Sequence, residues 1–359
     1  MREVKGERDE VKGLKRRLSP FPFSLYLPTA RRWLTVSGEI VLGVDFGGTK
    51  IAFGVVGADG HILEGWEVPS RVADGAAAVE ATLLSAVVEP LRRYPAITRI
   101  GVGFKGPIDA RRGLSLELVG VGGKVAGWQD RPVGLMIQAA AERAVGRAVQ
   151  VWLENDATAA ALGELWQGAA RGARDWAFVI CGTGVGAKFF EGGRLLRGQG
   201  AGGEFGHTIL DPSRTDLVCG CGSTRGHVEA LASGQSLDQR ARRLAQADPQ
   251  GPVASLAHAD GTPPSGEHLV AAAQAGDPAA LGEIGEVRRY LGYALANLIN
   301  LFNPELIVVG GGVATGTGGF ILDAAREVAL REALPSIAAQ TRIAGSALER
   351  EAGVLGAAY

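Results

Sequence analysis

The sequence predicts an α/β protein of two lobes with a ligand cleft between them, and three observations carry that prediction. Apolar runs repeatedly end in glycine-rich turns. Residues 40–45 lead into Phe46-Gly47-Gly48-Thr49-Lys50, residues 177–181 into Gly182-Thr183-Gly184-Val185-Gly186, and residues 306–309 into Gly310-Gly311-Gly312. Strand–turn–helix units recur in both halves of the chain. The length, 359 residues, suffices for two separate cores.

Taken in order, residues 40–45, 51–56 and 61–68 read as a β-meander with turns at Gly47-Gly48 and Asp59-Gly60. Residues 76–94 carry apolar side chains at helical spacing, with Pro90 a kink or an early end and Pro95 a stop. A buried strand over 98–104 runs into Gly106-Pro107. A helix covers 133–145, a short strand 149–153, and Glu154-Asn155-Asp156 opens a helix to about residue 167. Residues 176–181 and 186–191 form a hairpin around the second glycine turn. Residues 208–221 read as a loop, 227–231 start a helix, and the Pro, Gly and Asp of 246–266 suggest a surface insertion. A long helix over 278–301 ends at Asn303-Pro304, ahead of the strand 306–309, and a last helix begins near Ala352. The lobes are expected over 39–153 and 154–351, with the helix 352–359 packing back on the first.

Residues 1–38 differ in character. Lys and Arg outnumber Asp and Glu roughly two to one, and three prolines fall between positions 20 and 28. A disordered extension is the reading. A DNA-binding arm is the rival, and the segment is too short for a helix-turn-helix module with its own core.

Bulk properties exclude several classes. A net charge of −1 argues against a general nucleic-acid or membrane-surface role. No apolar run reaches the roughly 18–20 residues that span a bilayer. Three cysteines make no disulfide framework, and a cytoplasmic setting follows.

Glycines at strand ends let backbone N–H groups approach an anion with no Cβ in the way. Two such turns facing a cleft suit a nucleotide's phosphates, the third its base or sugar. Asp45, just ahead of Gly47, Gly48, Thr49 and Lys50, is placed to hold a hydrated Mg²⁺ or merely to cap a turn. Asp156 is read as the base that takes a proton from a substrate hydroxyl, with Asn155 holding a neighbouring hydroxyl; it can cap the helix as well. Glycines bracket Glu204 and His207, an arrangement that presents both into a cleft. His207, Cys219, Cys221 and His227 supply four borderline or soft ligands, the number a structural Zn²⁺ requires; free thiols are the alternative. Cys181, within an apolar strand, is a core residue.

At these residues the chain resembles the ROK family of sugar kinases and sugar-responsive repressors, within the hexokinase–actin-like ATPase superfamily. The resemblance runs from about residue 39 to 359. It implies a two-lobed actin-like ATPase (ribonuclease H-like) fold. Asp45 to Lys50 is similar to the family's first phosphate motif, and Gly182-Thr183-Gly184 to the second. Gly310-Gly311-Gly312 is similar to the adenosine-side turn. Asp156 is then the catalytic base and Asn155, Glu204, His207 and Glu229 are sugar contacts, His207 also binding zinc. Lys105 stands where Pro is usual and Lys188 where a small residue is usual. His227 replaces a third Cys in a metal stretch one residue longer than the family's.

The activity so implied is ATP- and Mg²⁺-dependent phosphorylation of a hexose. Glucose at its 6-hydroxyl leads; fructose, mannose and an N-acetylhexosamine are alternatives. A homodimer or homotetramer without nucleic-acid or membrane partners is implied. The rivals are a sugar-sensing transcriptional regulator and, from Lys105 and Lys188, a pseudo-kinase that only binds sugar.

Overall fold

Two five-stranded sheets carry the fold, and both have the same topology. The computed structural model describes residues 39–120, 123–200 and 202–359; the segment 1–38 lies outside them. The first sheet uses β1 (Ile40–Phe46), β2 (Lys50–Gly57), β3 (Ile62–Pro69), β4 (Arg99–Phe104) and β8 (Gln150–Asn155), in the order β3-β2-β1-β4-β8. Between β4 and β8 the chain forms a small sheet of β5 (Ile108–Asp109), β6 (Leu114–Gly120) and β7 (Gly123–Arg131). The second large sheet repeats the first order with β9 (Trp176–Cys181), β10 (Val185–Glu191), β11 (Arg194–Leu195), β12 (Leu306–Gly310) and β13 (Arg342–Gly345), arranged β11-β10-β9-β12-β13. In each, the leading strand pairs antiparallel with the next and parallel with the strand on its other side. This duplication is the two-lobed actin-like ATPase architecture, and it puts the carboxyl ends of β1, β4 and β8 on one edge, where α/β sheets bind ligands.

The burial of each strand follows from its place. β1 reads Ile-Val-Leu-Gly-Val-Asp-Phe because it is central and covered on both faces, with Leu42, Val44 and Phe46 fully buried. β3 alternates half-buried and exposed residues because it is an edge strand. The helices of the first lobe are α1 (Ala76–Arg93) and α2 (Val133–Val145). Pro90 falls in the last turn of α1, and the helix runs past it to Arg93 with Pro90 buried, rather than ending early. In the small sheet Trp128 is buried against Phe104, and its indole N–H donates to Ser115 Oγ at 3.0 Å.

α3 (Asp156–Trp166) starts where Asn155 caps the Thr158 N–H. The second lobe adds α4 (Val228–Ala232), α5 (Gly234–Ala247), α6 (Pro252–Asp260), α7 (Gly266–Gln274), α8 (Pro278–Phe302), α9 (Leu322–Glu332) and α10 (Pro335–Ala338). Residues 246–266, read as a surface insertion, contain the helix α6. Pro252 sits in the first turn of α6, where a missing N–H costs nothing, and Gly261 ends that helix at φ +65°. The residues that read as loop punctuation are its caps. α8 is capped by Asp277 and stopped by Asn303 in the left-handed region, as Asn303-Pro304 predicts.

The closing helix α11 (Ala352–Ala358) packs on β1, β4 and α3 with backbone against backbone. A Cβ on Gly101 would stand 1.6 Å from the Ala357 carbonyl oxygen, and one on Gly43 would stand 2.2 Å from that of Val354. On the other flank, a Cβ on Gly356 would stand 1.6 Å from the Ala159 carbonyl oxygen. Among the described residues no helix is long and apolar enough to cross a membrane.

Overpacking against backbone cannot relax by a rotamer change. Gly101→Ala is expected to destabilise the protein by about 3 kcal/mol or more in denaturant titration. Gly282→Ala is the control: its Cβ meets nothing within 4 Å on the exposed face of α8. That change is expected to stabilise by up to about 1 kcal/mol.

Candidate active site

The site grows from the carboxyl edge of the first sheet. Asp45 is paired in register with Gly103 of β4, and glycines surround its carboxylate. A Cβ on Gly353 of α11 would lie 2.3 Å from Asp45 Oδ2, and one on Gly103 3.7 Å from Oδ1. Burial raises the Asp45 carboxyl to about 7, the nearby Asp156 raises it further, and Lys50 opposes the rise. Beyond it, Gly47 to Lys50 closes as a turn: the Gly47 N–H donates to the Lys50 carbonyl at 2.9 Å. Ser70 fixes the turn from the side, its N–H donating to Thr49 O and its hydroxyl to Gly48 O, each at 2.9 Å. Lys50 does not turn inward. Its ammonium pairs with Glu67 at 2.5 Å on the half-exposed face of the meander.

Asn155 takes the capping part that the sequence offered to Asp156. The helix cap is Asn155, whose side-chain oxygen accepts from the Thr158 N–H at 3.2 Å. Its amide nitrogen donates to Asp156 Oδ1 at 2.8 Å and to the Gly106 carbonyl at 3.1 Å. Asp156 is the first residue of α3, and the Ala157 N–H also donates to its Oδ1, at 2.8 Å. Both contacts fall on one oxygen, leaving Oδ2 for a ligand. Burial pushes the Asp156 carboxyl up, while the Ala157 N–H, Lys105, Lys188 and Asn155 pull it back.

A pocket beside Asn155 runs between the lobes. Gly106, Pro107 and Ile108 line one wall, and Lys188, Arg197, Gly202 and Glu204 the other. Arg197 pairs with Glu154 at 2.6 Å, and Lys188 donates to the Gly202 carbonyl at 3.1 Å. Burial lowers the Lys188 ammonium, and the carboxylates of Glu204, Asp156 and Glu154 oppose that. Of the expected sugar contacts, Asn155 and Glu204 line this pocket; His207 and Glu229 are not in its lining. Glu229 instead accepts the Val185 N–H on one oxygen and the Gly220 N–H on the other, each at 3.0 Å, and the Cys219 thiol at 3.2 Å. Sequence reasoning missed Arg197, which follows a two-residue edge strand and has no motif around it.

The second and third glycine turns meet at the ends of β9 and β12. Gly310 is in register with Ile180, and Gly311 has φ +90°. A Cβ on Gly311 would lie 2.4 Å from the Cys181 carbonyl oxygen and 2.9 Å from the Gly182 nitrogen. Gly182 and Thr183 are held from behind, their carbonyls accepting from the N–H groups of Gly234 and Gln235 at the start of α5.

The four expected metal ligands converge. One donor atom each from His207, Cys219, Cys221 and His227 all lie within 4.8 Å of one another. Cys219 Sγ is 3.4 Å from His207 Nδ1, and Cys221 Sγ is 3.5 Å from His227 Nδ1. Donors of a tetrahedral zinc site stand roughly 3.3–3.8 Å apart, so two thiols and two imidazoles in this spacing fit the ion. Burial and the Glu229 carboxylate push the Cys219 thiol up, a penalty that a bound cation removes.

The ROK family pattern matches residues 41–359. A glucokinase from Streptomyces coelicolor is 37% identical over 291 residues, 80% of this chain and 86% of its own length. The crystal structure of a ROK family glucokinase from Streptomyces griseus, in complex with glucose and AMPPNP, superposes with a TM-score of 0.72. It is 34% identical and covers 89% of this chain and 98% of that one. A xylose repressor from Caldicellulosiruptor bescii is 27% identical over 88% of this chain and 76% of its own length.

The raised carboxyl of Asp45 makes stability pH-dependent. The folded state holds this proton more tightly than the unfolded chain, whose carboxyl has the ordinary value of 3.8. The proton's contribution is complete below that value and is lost as pH rises toward about 7. Without ligands, Asp45→Asn is expected to be the more stable protein at pH 8 by about 2 kcal/mol, with the advantage vanishing near pH 4, in denaturant titrations at both pH values.

Proposed function

We propose that this chain, which belongs to the ROK family and is an ATP-dependent sugar kinase, phosphorylates a hexose, with glucose at its 6-hydroxyl the favoured substrate. The observation that carries the reading is Asp156. It follows Asn155 of the pocket lining directly, and both of its hydrogen bonds fall on one carboxylate oxygen. The acceptor sugar would rest against Asn155 and Glu204, and Asp156 would take the proton from the attacking hydroxyl. The N–H groups of Gly48 and Thr49, and those of Thr183 and Gly184, would meet phosphate oxygens, while those of Gly47 and Gly182 close the turns. Gly310, Gly311 and Gly312 would flank the adenosine.

Asp45 is the carboxylate placed to hold Mg²⁺ through its water shell. Its raised carboxyl fits a site that ionises when a cation arrives. The ion supplies neutralisation of charge on the transferred phosphoryl group. His207, Cys219, Cys221 and His227 would hold a structural Zn²⁺, which cross-links the loop 208–227.

Release of ADP, coupled to a hexose panel, tests the reading. Glucose is expected to give the highest kcat/KM among glucose, fructose, mannose and N-acetylhexosamines. Asp156→Asn is expected to lower kcat by about 10³-fold or more while leaving glucose affinity within about threefold. Near-normal turnover in that variant removes Asp156 from its role. A wild-type chain that binds a hexose and releases no ADP with any is a sensor and not this kinase.

Metal content is a separate test. Elemental analysis of the purified chain is expected to find one zinc per chain. His227→Ala is expected to lose most of it and to melt at a lower temperature.

A further inference from the structure

One cation in the cleft takes no part in the chemistry above. β4 lies between β1 and β8, parallel to both, with Phe104 in register with Phe46 on one side and Asn155 on the other. The three chains therefore leave the sheet abreast, with Gly47, Lys105 and Asp156 in a row. The Lys105 N–H donates to the Phe46 carbonyl at 3.1 Å, which fixes its backbone beside the first glycine turn. The side chain then crosses that turn. A Cβ built on Gly48 would stand 2.9 Å from Lys105 Nζ, and 3.7 and 3.8 Å from its Cδ and Cε. A side chain at position 48 would push the ammonium aside.

Two lysines face Asp156, and they differ. Lys188 is buried, donates to the Gly202 carbonyl and sits among Glu204, Asp156 and Glu154, so its charge is already matched. Lys105 forms no ion pair and no side-chain hydrogen bond among the described residues, and its charge lowers the Asp156 carboxyl through space. Lys105 is held over a turn of backbone N–H groups, next to the base, with its donors unassigned.

We propose that Lys105 is a catalytic residue of the phosphoryl transfer. Its ammonium contacts the equatorial oxygens of the phosphoryl group as that group passes from the nucleotide to the sugar hydroxyl. The step balances without further reactants. The bond from phosphorus to the β,γ-bridging oxygen breaks as the bond to the sugar oxygen forms, and the electron pair leaves with ADP. The hydroxyl proton goes to Asp156, and Lys105 keeps all of its protons. Its positive charge screens the phosphoryl group from the Asp156 carboxylate, a repulsion that grows as the two approach. The proposal rests on the kinase reading above.

The test uses the full chain with Lys105→Met and Lys105→Arg. Lys105→Met is expected to lower kcat about 100-fold while the dissociation constants for glucose and ADP, by calorimetry, stay within about threefold of wild type. Lys105→Arg is expected to recover about tenfold of that loss, since it keeps the charge and changes its reach. A kcat within about threefold of wild type overturns the proposal, as does a loss matched by equal weakening of glucose or ADP binding, which marks a structural role. If Lys105→Met does not fold, Lys105→Gln is read by the same quantities. If wild type transfers no phosphoryl group to any hexose, the kinase reading has failed. Lys105 is then judged by calorimetry with the magnesium complex of ATP against ADP: selective weakening of ATP in Lys105→Met supports it, and equal affinities in variant and wild type overturn it.

Discussion

The contact on which the rest of this structure depends is the seat of α11 between the first sheet and α3. Carbonyls of the closing helix touch the strands where Gly43 and Gly101 have no side chain, and Gly356 lets the helix touch α3. Dispersion across such a contact is large only because nothing intervenes. The places of Asp45 and Asp156 follow from it. Gly353 lies against the Asp45 carboxylate, and α3 begins with Asp156. A helix from the end of the chain thus sets the spacing between the two acids of the cleft.

The same region joins the two sheets. Glu164 of α3 is fully buried, and its carboxylate accepts from Ser346 Oγ at 2.5 Å and from the N–H groups of Leu348, Ala169 and Ala347. Ser346 in turn donates its own N–H to Val309 of the second sheet. Around this joint, Ala160 and Ala161 of α3 pack with Trp176, Phe178 and Val308 of the second sheet and with Ala352 of α11. A carboxylate satisfied by four donors loses little by burial, and removing it would orphan several N–H groups at once. α3 is accordingly the element shared by both sheets, and its N-terminus carries Asp156, the proposed base.

Much of this was legible in the chain, and what was legible follows one rule. Central strands such as β1, β9 and β12 are covered on both faces, so they read as apolar runs, and the glycines after them mark the turns. Helix limits at Asn155, Asp277 and Asn303 were readable because caps need particular side chains. The losses have equally specific causes. α6 was hidden because its own caps, Pro252 and Gly261, are loop residues elsewhere. Strand β7 was hidden because most of its residues are exposed and Gly123 and Gly127 interrupt it. In the site, which of Asn155 and Asp156 caps α3 had no answer in sequence. Side-chain direction makes Asn155 the cap, and that direction comes in part from the Gly106 carbonyl on a separate segment. The four metal donors were legible because Cys and His are scarce, whereas Arg197 is one of many arginines.

Glu229 shows how far a correct residue can sit from its expected work. The resemblance makes it a sugar contact. In the fold its carboxylate is the shared acceptor for Val185 at the second glycine turn and for Cys219 and Gly220 in the metal loop. The loop is braced from its other side by a cluster of charges. Arg214 contacts Asp216, Glu286 and Tyr290, and the fully buried Arg240 contacts Glu283 and Glu286 on α8. Ion pairs of this kind add little net stability against apolar packing, but they tolerate only one geometry. Order in residues 208–227 is therefore transmitted to the N–H groups of the second turn through one carboxylate. A metal held by His207, Cys219, Cys221 and His227 would act on the backbone of the second glycine turn by that route.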